Sequence, residues 1–165
     1  NEVPDGTPGE LVACGPYRFE GYWNLPEKTA EAFRGDYLTV GDMAVRDEAG
    51  FIRLIDRKKN MIITGGENVY PTEVEAVLAG HPDIRDVAVV GQPDDKWGER
   101  VAAAVVLREG ASLTADELIS WARERLVGYK RPRTVVFLTA GEMPRNTTGK
   151  ILHRVLRDMI AGRTA

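Results

Sequence analysis

Two β-branched runs, Ile84 to Val90 and Val101 to Leu107, constrain this chain more than any other feature. Both read as strands, with the polar segment Gln92 to Gly98 as the loop between them. The second run is also the longest purely apolar stretch, and it falls far short of the roughly 18 to 20 residues that a membrane helix needs. No integral membrane segment is expected.

The elements around this pair follow from local signals. Pro71 opens a helix with Val74, Val77 and Leu78 on one face, stopped by Gly80 and Pro82. Thr114 with Glu117 three residues later is a capping box. It predicts a helix with Leu118, Trp121, Ala122 and Leu126 on its apolar side, ending at Gly128. Val135 to Leu138 predicts another strand, and Gly141 to Gly149 a loop. A last helix carries Ile151, Leu152, Val155, Leu156 and Met159 at helical spacing. Upstream, residues 1 to 25 read as Gly- and Pro-rich loops with short extended pieces such as Glu10 to Ala13, and Pro26 to Phe33 predicts a short helix. Phe51 to Asp56 and Met61 to Thr64 predict two strands around the basic corner Arg57, Lys58, Lys59. The order β, α, β, β, α, β, α implies an α+β fold, with helices packed on a small mixed or antiparallel sheet.

Length and composition narrow the class of molecule. At 165 residues the chain fits one domain, or one and a fragment of another. With 43% hydrophobic and 28% charged residues, wholesale disorder and collagen-like repeats are excluded. Cys14 is the lone cysteine, so it can form neither an internal disulfide nor a thiolate metal cluster, and a reducing, cytoplasmic setting is expected. Asn1 is neither an initiator Met nor the start of a basic and apolar leader, so the chain reads as a piece of something longer. Residues 1 to 120 carry 12 basic and 22 acidic side chains, net −10, whereas residues 121 to 165 carry 10 and 3, net +7. Such a basic end can face a polyanion such as a nucleotide, or be a solvated helix face. No nucleic-acid partner is expected.

Several chemistries fail on spacing. Gly141 to Lys150 ends in Gly-Lys, but its glycines stand too far apart for a P-loop, and Ile151 occupies the position where Ser or Thr would bind magnesium. Gly65-Gly66 lacks the third glycine of a dinucleotide fingerprint. His81 and His153 have no partners at ligand spacing, so no metal site is expected. Three polar spots remain: Gly41-Asp42, Arg57 to Gly66, and Thr147 to Lys150. An Asp after Gly at a strand end can accept from a ribose diol or cap a turn. Arg57 offers a planar fork suited to a diol or phosphate, or to a surface salt bridge. Lys150, at the tip of a Gly and Thr loop, can place a point charge on a phosphate oxygen or be solvated.

Taken in order, these segments resemble the C-terminal part of the adenylate-forming (AMP-binding) superfamily, in particular its acyl-CoA synthetases. Tyr37-Leu38-Thr39-Val40-Gly41-Asp42 is similar to the family's Thr-Gly-Asp motif. Asp56 to Glu75, reading Asp56-Arg57-Lys58-Lys59-Asn60 and on through Gly65-Gly66-Glu67, resembles its hinge motif and following loop. Pro144-Arg145-Asn146-Thr147-Thr148-Gly149-Lys150 resembles its terminal catalytic-lysine motif. The resemblance implies that Asp42 binds the ATP ribose, that Arg57 contacts the ribose or phosphates, and that Lys59 is the hinge of a small C-terminal lid. It implies further that Lys150 serves adenylation, and that Gly65, Gly66 and Glu67 border a tunnel for the pantetheine of coenzyme A. ATP, Mg2+ and coenzyme A are the implied cofactors, and a carboxylate, a fatty acid before an aryl acid, the implied substrate.

Two positions depart from the family pattern: Val40 replaces the usual Thr, and Asn68 stands where some relatives carry an Arg that meets coenzyme A, for which Arg123, Lys130 and Arg131 are candidate substitutes. The family's phosphate loop, adenine motif and acyl pocket belong to a large N-terminal domain and have no counterpart here. The resemblance therefore divides the chain into residues 1–56, a remnant of that large domain, and residues 57–165, the lid, with the missing large domain as partner. By itself such a chain lacks a complete active site. The alternatives are an adenylation domain serving a carrier protein and a stand-alone, non-catalytic lid.

Overall fold

The computed structural model describes residues 2–164, so the termini Asn1 and Ala165 lie outside the described residues. The chain divides into two compact units, Asn1–Lys59 and Asn60–Ala165.

The first unit holds β1 (Gly9–Ala13), α1 (Pro26–Ala32), β2 (Phe33–Arg34), β3 (Tyr37–Arg46) and β4 (Ile52–Arg57). Pro26 starts α1, where a missing N–H costs nothing, and the helix ends one residue before the expected Phe33, whose backbone is already extended and pairs with Leu38. β3 is the centre of this antiparallel sheet and pairs with β1, β2 and β4. It was not expected as a strand, because Gly41 sits in its middle with φ +74° and the ladder to β1 shifts register across it, between Glu10 and Val12. Both features are those of a bulge, which breaks the alternation that sequence reading relies on.

The second unit contains β5 (Ile62–Thr64), β6 (Glu67–Val69), α2 (Pro71–Leu78), β7 (Ile84–Asp94), β8 (Gly98–Leu107), α3 (Ala115–Arg123), β9 (Thr134–Phe137) and α4 (His153–Thr164). β7 and β8 form a long antiparallel hairpin, β9 lies parallel to β8, and the β5–β6 hairpin joins β8 through the pair Thr64 and Gly98. The sheet is therefore mixed, and the fold is α+β as expected.

Alternation along β8 builds two core layers. Val101, Ala103 and Val105 point to one face, where Val74, Leu78, Leu118, Ala122 and Leu126 pack from the α2 and α3 side. Ala102, Ala104 and Val106 point to the other, covered by Met143, Leu156 and Ile160. A strand buried on both faces reads as a continuous apolar run, which is why Val101 to Leu107 lacks polar alternation. Each buried Val or Leu contributes about 1.5–3 kcal/mol.

Three boundaries move relative to the sequence reading. The polar segment Gln92 to Gly98 is mostly strand, since Gln92 pairs with Arg100 and Asp94 with Gly98. Gln92 is buried because its side-chain amide donates to the Arg157 carbonyl, 2.8 Å away. α3 stops at Arg123, not Gly128, although the capping box is present as expected and Leu126 is buried. α4 buries Leu156 and Ile160, while Leu152 and Val155 are exposed and Ile151 pairs with Arg145 before the helix begins.

Candidate active site

In the first unit, β3 and β4 place Asp42 directly opposite Arg57. The Arg57 Nε lies 3.0 Å from Asp42 Oδ1, and Arg57 Nη1 donates to the Val40 carbonyl at 3.3 Å. The structure thus brings two expected site residues together as a cross-strand ion pair. Asp42 is well covered, at 21% side-chain exposure, and Arg57 is open at 57%. One residue acts as a fixed carboxylate, and the other keeps donors facing solvent.

Lys59 follows in a short 3₁₀ turn, Lys58–Asn60, and the boundary between the two compact units falls just after Lys59. Its neighbour Lys58 is tied at 2.8 Å to Glu10, which also holds Arg34 at 2.6 Å. Lys59 is exposed and has no ion pair among the described residues.

Gly65 and Gly66 form the two-residue turn of the β5–β6 hairpin with φ of +60° and +86°. Positive φ at both positions is the type I′ geometry that glycine adopts without cost. The two differ in surroundings. A Cβ on Gly65 would stand 2.8 Å from Cε3 of Trp97, whereas a Cβ on Gly66 would meet nothing within 4 Å. The turn is fixed by Gly65 N–H donating to the Trp97 carbonyl at 2.8 Å and by Ile63 N–H donating to Glu99 Oε2 at 2.9 Å. The same Glu99 carboxylate lies over Gly91, where a Cβ would come within 2.6 Å of Oε1. Glu67 is exposed beside the turn. Trp97 rests on Gly65, with the cations of Lys96 and Arg133 lying 4.8 and 5.2 Å from its ring centroid.

Lys150 is exposed at the end of the loop from Thr139. Asn146 Oδ1 accepts from Thr148 N–H at 3.0 Å, from the Thr148 hydroxyl at 2.8 Å and from Lys150 N–H at 2.9 Å. Arg145 bonds to the Gly149 carbonyl and to Asp86 on β7. The loop's start is fixed by Glu142, whose carboxyl is lowered to about 2. The causes in order are the Thr139 N–H, the Arg163 guanidinium and the Thr139 hydroxyl, all donating to it. Sequence reading missed Asn146 as the partner of Lys150 and Arg145 as the partner of Gly149 and Asp86. An Asn two residues before a Thr is an Asx-turn signal that would have found the first.

Two of the candidate phosphate ligands are occupied. Lys130 Nζ lies 2.6 Å from Glu73 Oε1, and Arg131 donates to the carbonyls of Leu126 and Arg123. Asn68 lies exposed on β6. His81 accepts from Asp83 N–H and packs edge-on to Trp121, and His153 lies 3.8 Å from Glu75. Among the described residues, no three His, Cys, Asp or Glu gather as a metal site, and no helix is long and apolar enough to cross a membrane.

Three spots of the chain therefore present polar groups in a defined geometry: the Asp42 and Arg57 pair on the first sheet, and, in the other unit, the Gly65-Gly66 turn and the Lys150 loop. Residues 73–150 match the family described as AMP-binding enzyme C-terminal domain. The chain therefore carries, over these residues, the C-terminal domain of AMP-binding enzymes. It is 47% identical over 163 residues to a long-chain-fatty-acid–CoA ligase of Escherichia coli O6:H1, covering 99% of this chain and 28% of that protein. It is 46% identical over 155 residues to a feruloyl-CoA synthase of an Amycolatopsis species, covering 94% and 31%. The crystal structure of ATP-bound MatB from Rhodopseudomonas palustris superposes with a TM-score of 0.88 at 37% identity, covering 95% of this chain and 31% of that one. The chain spans under a third of the length of each of these proteins.

Proposed function

We propose that this chain works as the C-terminal part of an ATP-dependent, AMP-forming acyl-CoA ligase, with residues 1–56 completing a large N-terminal domain and residues 57–165 forming its lid. The observation that carries the reading is the Lys150 loop: Asn146 and Arg145 hold its backbone at Thr148, Gly149 and Lys150, and among the described residues the exposed Lys150 ammonium has no partner.

In the first half-reaction a carboxylate oxygen attacks the α-phosphorus of ATP, the bond to the bridging oxygen breaks, and pyrophosphate leaves with the electron pair. Two anions must meet, so an ammonium aimed at the carboxylate and α-phosphate stabilises the developing charge. Lys150 is assigned that role. Asp42 accepts from the ribose hydroxyls, and Arg57, oriented through its Nε by Asp42, directs its remaining donors toward ribose or phosphate. Mg2+ is expected to arrive on the phosphates of ATP, and no residue of this chain is assigned to it.

In the second half-reaction the thiol sulfur of coenzyme A attacks the acyl carbonyl carbon and AMP leaves. The open space at Gly66 suits a pantetheine arm passing close to backbone, with Gly65 and Glu67 at its border. Lys59 is assigned the pivot, because a hinge requires φ and ψ freedom at one residue, and this residue carries no ion pair among the described residues. A long-chain fatty acid is the first choice of substrate and an aryl acid the second, the chemistries in the names of the two similar ligases. A cytoplasmic setting is proposed with it.

The test uses the complete ligase. Lys150→Ala is expected to lower acyl-adenylate formation by about 10² or more, while supplied acyl-adenylate still reacts with coenzyme A. An equal fall in both half-reactions would overturn the assignment.

A further inference from the structure

Lys150 has a four-carbon stem and three rotatable donors, so the place where its ammonium can act is set first by where its backbone is held. That backbone is held by one residue from both sides. Asn146 N–H donates to the Lys150 carbonyl at 2.9 Å, and Asn146 Oδ1 accepts from the Lys150 N–H at the same distance. Between them, Gly149 N–H donates to the Asn146 carbonyl at 2.9 Å, which Gly149 achieves with φ +82°.

An ordinary Asx turn needs only the bond from the N–H two residues on, here Thr148. The bonds to Lys150 go beyond it. Three donors converge on Oδ1, which settles which end of the side-chain amide faces the loop, because an amide NH₂ has nothing to accept with. The neighbouring Arg145 then bridges the Gly149 carbonyl to Asp86 of β7, so the bracket rests on the long central hairpin and not on another loop.

We propose that Asn146 is a positioning residue for Lys150: it clamps the lysine's N–H and C=O and so fixes the point from which the ammonium reaches the reacting carboxylate and α-phosphate. The second half of this statement rests on the ligase reading above, whereas the first concerns this chain alone. Asn146 itself touches no reacting atom. Its contribution is orientation, and misplacing a catalytic group by about 1 Å can cost on the order of 10²-fold in rate.

Two measurements test the two halves separately. On this chain, hydrogen exchange of the Lys150 amide is expected to quicken about fivefold or more in Asn146→Ala, the factor for one lost hydrogen bond of average strength, with β7 and β8 amides unchanged. Asn146→Asp keeps an acceptor oxygen and is expected to retain the protection. Wild-type exchange at Lys150 in Asn146→Ala, or general loss of protection in β7 and β8, overturns the clamp. In the complete ligase, Asn146→Ala is expected to slow acyl-adenylate formation about 10- to 100-fold and leave thioester formation from supplied adenylate unchanged. Equal loss in both half-reactions reduces Asn146 to a structural residue and overturns the proposal. Lys150→Ala run alongside separates the two readings: if it leaves adenylation intact while the exchange results hold, the ligase role of Lys150 has failed and the clamp has not.

Discussion

The unit Asn60–Ala165 buries two full layers of side chains on the faces of one sheet, whereas the unit Asn1–Lys59 buries two hydrophobic residues, Met43 and Ala44, each still 8% exposed. The first unit leaves large apolar side chains in the open: Tyr17 is 99% and Trp23 90% exposed, and Phe51, Ile52 and Leu54 crowd the start of β4. The difference teaches that secondary structure alone does not make a self-supporting domain. Strands form in both units, but in the second unit they are covered from both sides.

The sharpest way to break this comparison is to remove one leucine from each unit and follow unfolding in urea. Leu156→Ala empties a fully buried position between α4 and the sheet and is expected to cost about 3 kcal/mol. Leu54→Ala removes a side chain of the same size from an exposed strand and is expected to change stability by less than about 0.5 kcal/mol. Similar losses at both sites would mean that the first unit has a core of its own.

A second pair sharpens the contrast inside the larger unit. Gly65→Ala meets both a left-handed φ and the Trp97 ring and is expected to cost about 2–3 kcal/mol. Gly66→Ala meets the φ cost alone and is expected to lose about 1 kcal/mol. Thermal unfolding of the two variants measures the part due to Trp97, and equal losses would remove the indole from the account.

The smallest effect concerns acid. The Glu142 carboxyl, lowered to about 2 from the ordinary 4.5 chiefly by the Thr139 N–H, adds stability in full above about pH 4.5, and that contribution fades as pH falls toward 2. The stability gap between wild type and Glu142→Gln is therefore expected to be widest above pH 4.5 and to close toward pH 2. A gap that does not change across this range would remove the Thr139 and Arg163 bonds from the acid limb.

Sequence reading performed best where one local signal decided the outcome. Pro71 at the head of α2 and the Thr114 and Glu117 capping box were legible, because their physics is confined to a single turn. It failed where the decisive partner was distant. Ile160 is buried because the sheet lies beneath it, while Val155, at equally good helical spacing, points away. The ten-residue span of β3 was hidden by Gly41, across which the ladder to β1 shifts register. Candidate site residues were legible as types in order, Asp42, Arg57, Gly65, Gly66 and Lys150. Their supports were not: Asp86 lies 59 positions from Arg145, and Glu99 lies 36 from Ile63.

The carboxylate of Glu99 has a consequence for how this chain can vary. Gly91 does not sit at positive φ, so alanine there would be conformationally ordinary, yet Glu99 Oε1 occupies the space its methyl group would need. The constraint on position 91 is therefore written at position 99. Because Oε1 is the far end of a flexible side chain, Gly91→Ala would push the carboxylate aside, and what it would disturb is the Glu99 bond to the Ile63 N–H at the β5–β6 hairpin rather than its own strand.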